Sequence, residues 1–163
     1  MDIVMGECPS SEELVQCINE QMVEGVRILS AVALPDDSKN AMSIVTTADY
    51  RISFREGMSP DFELSSAIRE FMAQDKIMVT KKTKKSERTM DIKPMIHVFR
   101  GDGDGCFMNV ATGSTQNLKP DQVMATLYQF LGREFDPFTI YIRREETYGA
   151  DFKPLEAYGN RIL

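Results

Sequence analysis

The chain has 163 residues, 42% of them hydrophobic and 27% charged, a length and balance that suit one compact body or two small ones. No apolar run approaches the roughly 18 to 20 residues of a membrane-spanning helix, and three cysteines with no C-x-x-C pair, beside a single histidine, support neither a disulfide framework nor a zinc site. The opening residues carry acids and no basic stretch, so they do not read as a secretory signal, and the expected location is the cytoplasm with thiols reduced.

In chain order, "MDIVMG" has strand character, and Pro9, Ser10 and Ser11 ahead of Glu12 and Glu13 mark a helix start. Leu14, Ile18 and Met22 then form an amphipathic stripe that Gly25 stops, and "VRILSAVALP" follows as a strand. The opening unit therefore reads β-α-β, with a brief helix near Ala41 to Val45 linking it onward. "ADYRISFRE" alternates, with Tyr50, Ile52 and Phe54 on one face and Arg51, Ser53 and Arg55 on the other.

Ser59-Pro60-Asp61 opens a second helix carrying Leu64, Ala67, Ile68 and Phe71, closed by Gln74-Asp75. "KIMVTKK" and "RTMDIK" pair across the polar "TKKSE" turn, and Pro94, which has no ladder donor, forces a bulge or break before "MIHVFR". "GDGDG" turns that strand back into "CFMNVAT". After the "GSTQN" loop comes a helix with Val123, Leu127, Phe130 and Leu131 inward, then the strand "FTIYIRRE" and an aromatic tail ordered in part by docking.

These elements predict an α+β fold. Residues 46–146 read as a ferredoxin-like (split β-α-β) antiparallel sheet with helices on one face and one strand extended into a bent basic hairpin. Residues 1–45 supply only the C-terminal half of a first such unit, and 147–163 are the tail. A half unit leaves an incomplete sheet, so the expectation is tandem ferredoxin-like domains in the full-length protein.

The net charge of −6 is unevenly spread. Residues 76–100 carry eight bases (Lys76, Lys81, Lys82, Lys84, Lys85, Arg88, Lys93, Arg100) against Glu87 and Asp91. An acidic body resists nonspecific adhesion to nucleic acid, so any polyanion contact must be local, and the hairpin lysines 81, 82, 84 and 85 with Arg88 and Lys93 are its candidates. Their plainer role is to keep a hairpin tip soluble. In "DIKP" a carboxylate and a base flank a proline bend; Asp91 either presents Lys93 or simply accepts backbone N–H bonds. The "GSTQNLKP" loop runs into a helix start, where Ser114, Asn117, Lys119 and free N–H groups suit a phosphate, unless Asn117 only caps the turn.

His97 lies in an alternating strand and, with Asp91, is a weak catalytic candidate only. Asp102 and Asp104 resemble the start of a calcium loop, but the bidentate acid such a loop requires is replaced by Gly113, so a turn is expected and no metal site. Arg143 and Arg144 are followed at once by Glu145 and Glu146, so local pairing competes with ligand binding there.

The strings "MDIVM", "ADYRI", "TKKTKKSERTMDIKPMI", "GSTQNLKP" and "FTIYIRRE", in this order, resemble the bacterial radical-SAM-linked domain of unknown function over nearly the whole chain. The resemblance implies a domain appended to, or encoded beside, a radical SAM protein with a cobalamin-binding region, and it supplies no catalytic residues. It also implies that the family's opening segment, with its Ser-His-Leu-Asp type string, is missing here. Lys93 and Lys119 stand where arginine is expected in the family, which keeps the charge but gives up bidentate phosphate geometry.

The function expected from residues and resemblance together is an accessory domain that binds RNA or presents a substrate to a radical SAM partner. The alternatives are a protein-protein scaffold for that partner and an RNA-processing enzyme using Asp91, Lys93 and His97. No cofactor is expected in this chain, the iron–sulfur cluster and S-adenosylmethionine belonging to the partner, and no membrane contact is expected.

Overall fold

The chain divides into a sheet unit, residues 46–147, and a composite unit made of residues 1–45 and 148–163. The computed structural model describes residues 2–82 and 87–163, and for 81, 82, 87 and 88 the backbone alone. Lys84, Lys85 and the "TKKSE" turn, with the side chains of Lys81, Lys82 and Arg88, lie outside the described residues.

The sheet unit begins with β1 (Thr47–Phe54), whose alternation sends Ala48 and Ile52 into the core and leaves Arg51 and Ser53 exposed. Helix α3 (Leu64–Ala73) buries Ala67, Ile68 and Phe71 as its spacing predicts. It starts later than Ser59-Pro60-Asp61 because Glu63 is the cap, its carboxylate accepting the N–H groups of Ser65 (3.0 Å) and Ser66 (2.6 Å). Strands β2 (Met78–Lys82) and β3 (Glu87–Asp91) form a separate antiparallel ribbon, in register from Met78↔Asp91 to Lys82↔Glu87. At Pro94 the chain breaks into one 3₁₀ turn, Lys93–Met95, before β4 (Ile96–Asp102).

A two-residue turn joins β4 to β5 (Gly105–Ala111), with Asp102 paired to Gly105 and Gly103 at φ +59°, the left-handed value that the first position of a II′ hairpin requires. Gly105 is also needed for space, since a Cβ there would sit 2.0 Å from the Ile52 carbonyl oxygen. Helix α4 (Pro120–Phe130) starts with proline in its first turn, and β6 (Ile140–Tyr148) follows.

The four-stranded antiparallel sheet runs β4-β5-β1-β6, so β5 lies between β1 and β4, the strands of this sheet that come before and after α3 and the β2-β3 ribbon in sequence. Helices α3 and α4 cover the same face. The Phe71 and Phe99 rings meet edge-on at 6.2 Å, and the Cys106 thiol lies 3.7 Å from the Met124 sulfur. Register places Phe99 opposite Met108, on the same face as Cys106. Val123 and Leu127 are buried as expected, whereas Phe130 is 41% exposed and Met124 takes the inward place.

In the composite unit, α1 (Ser11–Glu20) opens with a capping box between Ser10 and Glu13. A short α2 (Ala41–Ile44) is capped by Asn40. The two strands expected on either side of α1 are not formed: residues 2–6 are irregular, and of "VRILSAVALP" only Ala33 makes a bridge, to Asn160. The physical reason is the want of a neighbour, because β-branched residues make a strand only when a ladder takes up their N–H and C=O groups. Residues 148–163 carry two 3₁₀ turns, Ala150–Phe152 and Leu155–Tyr158, and Ser11 binds Ile162 through both its N–H (3.0 Å) and its hydroxyl (2.9 Å).

Charge is segregated between the units. The composite unit has four bases (Arg27, Lys39, Lys153, Arg161) against ten acids, while the sheet unit has fifteen of each; since residues 81–88 hold five of those bases and one acid, the rest of the sheet unit is net acidic. No helix among the described residues is long and apolar enough to cross a membrane.

Candidate functional site

The "DIKP" corner is a brace. Asp91 Oδ1 accepts the N–H of Ile77 (2.9 Å) and of Lys93 (3.0 Å), and Lys93 Nζ donates to the carbonyl of Gln74 beyond α3. The two backbone donors, that of Ile77 foremost, hold the Asp91 carboxyl below the usual carboxylate range, with burial opposing and the Lys76 and Lys93 charges assisting. A group with a depressed folded pKa contributes stability above its unfolded pKa and loses it as pH falls through the folded value. Urea titrations should therefore show the stability gap between the wild type and Asp91→Asn constant above about pH 5 and closing on acidification; a gap independent of pH would remove the charge from this account.

The loop after β5 is pinned by the Leu118 N–H, which donates to Ala111 at 2.9 Å, with the Leu118 side chain buried. Ser114, Asn117 and Lys119 are exposed on it, and Lys119 is the cap residue of α4 without a side-chain cap bond. Pro120 removes one donor from that helix end, and Asp121, whose Oδ1 accepts the Gln122 N–H, brings a carboxylate to it. His97 is exposed at the register shift between Ile96 and Val98 in β4. The Cys106 thiol is fully buried and pushed up to about 12 by desolvation, which keeps it protonated and unreactive at neutral pH. Among the described residues no three His, Cys, Asp or Glu side chains are placed to hold a metal ion.

What sequence reasoning missed lies on the sheet face opposite α3 and α4. Phe107 of β5 is in register with Arg51 of β1 on one side and Arg100 of β4 on the other. The Arg100 guanidinium carbon stands 4.9 Å from the Phe107 ring centre. Glu145 of β6 completes the row, taking a bidentate pair of bonds from Arg51 at 2.9 and 3.3 Å, and Asp102 also pairs with Arg51. The hydrogen bond to Arg51 is the main cause that lowers the Glu145 pKa. Along the same face Arg55 lies over Tyr141, 4.0 Å from the ring centre, and donates to its hydroxyl at 2.7 Å. Asn109 donates to Asp49 at 2.7 Å one register step beyond Phe107.

The polar parity of Arg51, Ser53 and Arg55 was the available signal for this face. "CFMNV" hid Phe107, because Cys106, Met108 and Val110 on the buried face are as apolar as Phe107 on the open one. Glu145, expected to pair locally with its neighbouring arginines, is bonded instead to Arg51. The row as a whole offers an aromatic surface edged by guanidinium groups, with carboxylates offsetting the charge of Arg51. It is suited to planar, partly anionic ligands, with stacking supplying more than net charge.

A family model described as "Uncharacterized protein conserved in bacteria (DUF2344)" matches residues 1–120. No curated protein and no solved structure matches the chain.

Proposed function

The chain belongs to this uncharacterised family conserved in bacteria, and on that footing we propose that it is an accessory module binding single-stranded RNA across the face of its four-stranded sheet opposite α3 and α4. The observation that carries the reading is the row Arg100, Phe107, Arg51 on three neighbouring strands. Sheets that bind single strands stack bases on aromatic side chains and hold the backbone with cations. Because Asp102 and Glu145 offset Arg51, most phosphate attraction falls to the lysine hairpin, with Lys81, Lys82, Lys84, Lys85 and Arg88.

We read the sheet unit as ferredoxin-like, which the order β4-β5-β1-β6 and the placing of α3 and α4 on one face support. That the module serves a radical SAM protein, the partner holding the iron–sulfur cluster and S-adenosylmethionine and this chain no cofactor, rests on the resemblance of its sequence strings. Catalysis by Asp91, Lys93 and His97 is the weaker reading, since Asp91 and Lys93 are both bonded to backbone.

The test is fluorescence anisotropy with a labelled oligouridine. Phe107→Ala should weaken binding roughly fivefold to a hundredfold or more, the about 1–3 kcal/mol of one stacked base, and leave the salt dependence unchanged. Tyr141→Ala, at a residue 53% exposed on the same face, should act in the same direction. Wild-type affinity in both variants would overturn the sheet face as the binding surface. Co-purification at low and high salt addresses the partner: a salt-resistant radical SAM protein without RNA would make the chain a scaffold instead.

A further inference from the structure

The composite unit carries a groove of about 940 Å³ between α1 and the segment that follows it, floored by Val15, Met22, Val26 and Leu29. Leu29 is 86% exposed and Val26 53%, so this apolar surface is not covered. The segment has β-branched residues at Val26, Ile28 and Val32 but lacks a ladder. Its pairing capacity shows at one residue: the Asn19 side-chain amide accepts the N–H of Ile28 at 2.7 Å and donates to its C=O at 2.9 Å, the two contacts a neighbouring strand would make. From Leu29 to Val32 the backbone makes no hydrogen bond among the described residues, until Ala33 meets Asn160.

We propose that residues 26–32 are a receptor strand for an extended segment of a partner protein, apolar at alternate positions and basic between them. Main-chain pairing would supply affinity and the groove would take alternate side chains. The basic character follows from charge: Glu12, Glu20 and Glu24 line the groove against Arg27 and Arg161, within a unit of ten acids and four bases. An acidic strand would meet repulsion over a Debye length of about 8 Å at physiological salt. The inference is independent of RNA binding, which involves the other unit.

Hydrogen exchange on the 163-residue chain tests it, with the blocked peptide (Val-Lys)4 as probe and (Val-Glu)4 as control. At a peptide concentration about nine times its Kd, the amides of Ser30 and Val32, on the edge where Asn19 already engages Ile28, should exchange about tenfold more slowly, with (Val-Glu)4 giving no protection. Ser30→Pro, at an exposed position, removes one ladder donor and should abolish the protection while α1 amides stay as slow as in the wild type. Equal protection by both peptides, protection confined to other residues, or none at all would overturn the proposal, as would sedimentation showing that a second copy of the chain occupies the strand.

Discussion

Changing Lys81, Lys82, Lys84 and Lys85 together to glutamate should lower affinity for single-stranded RNA by about a hundredfold or more at low salt, and flatten its salt dependence. Each lysine that neutralises a phosphate of a single strand adds about 0.7 to the slope of log K on log salt, so loss of four such contacts should reduce the slope by about 3. The size of the effect follows from how the charge is arranged. The sheet unit has equal numbers of acids and bases, and Arg51 is engaged by two carboxylates, so few other cations can replace the hairpin. Anisotropy titrations between about 50 and 200 mM salt measure both quantities. An unchanged slope would return the lysines to solubility, whereas lost RNA binding with a retained protein partner would separate the two activities within one chain.

Phe71→Ala should cost the sheet unit about 3–5 kcal/mol, a large fraction of the about 5–15 kcal/mol that a domain of this size possesses. Phe71 is fully buried, and its ring is edge-on to both Phe99 of β4 and Phe130 of α4, so truncation opens a cavity where helix α3, helix α4 and the sheet meet. Urea unfolding followed by circular dichroism would show the midpoint falling with little change in slope. Met58→Ala, at a position 51% exposed, is the control and should stay within about 0.5 kcal/mol of the wild type. A loss below about 1 kcal/mol at Phe71 would mean that the three elements repack freely, contrary to a close-packed core.

The sheet unit was legible in the sequence wherever burial is one-sided. Alternation in β1 and the stripe of α3 each name a face, and Ile52, Ala67, Ile68 and Phe71 are buried accordingly. Pro94 and "GDGDG" were legible through backbone chemistry, one lacking a donor and the other supplying a left-handed angle. In the composite unit the two helices were legible, from the Ser10 cap and near Ala41, but the strands were not, because strand propensity says nothing about whether a partner exists; "VRILSAVALP" has the residues of a strand and only the Ala33–Asn160 bridge to show for it. The open sheet face failed for another reason. Phe107 becomes a candidate only when Arg51 and Arg100 are seen at its sides, the first about fifty residues earlier, beyond β4, the β2-β3 ribbon and α3, and the second across a turn. The lysine hairpin drew notice as a run of like charge, a local signal, whereas a row across strands is written nowhere contiguously.

The bond between Ser11 and Ile162 joins residues 151 apart in sequence, and the Ala33–Asn160 bridge does much the same. During synthesis the sheet unit is contiguous and has everything it needs once residue 147 has left the ribosome, while the composite unit must wait for residue 162. Closing so long a loop through an unfolded chain carries an entropic cost that a folded insert largely removes, since it holds residues 46 and 147 at fixed separation. Translation thus imposes an order in which the acidic unit matures last, and the apolar residues it half-buries, Leu14, Ile18 and Ile28, stay open to chaperones for the longest time.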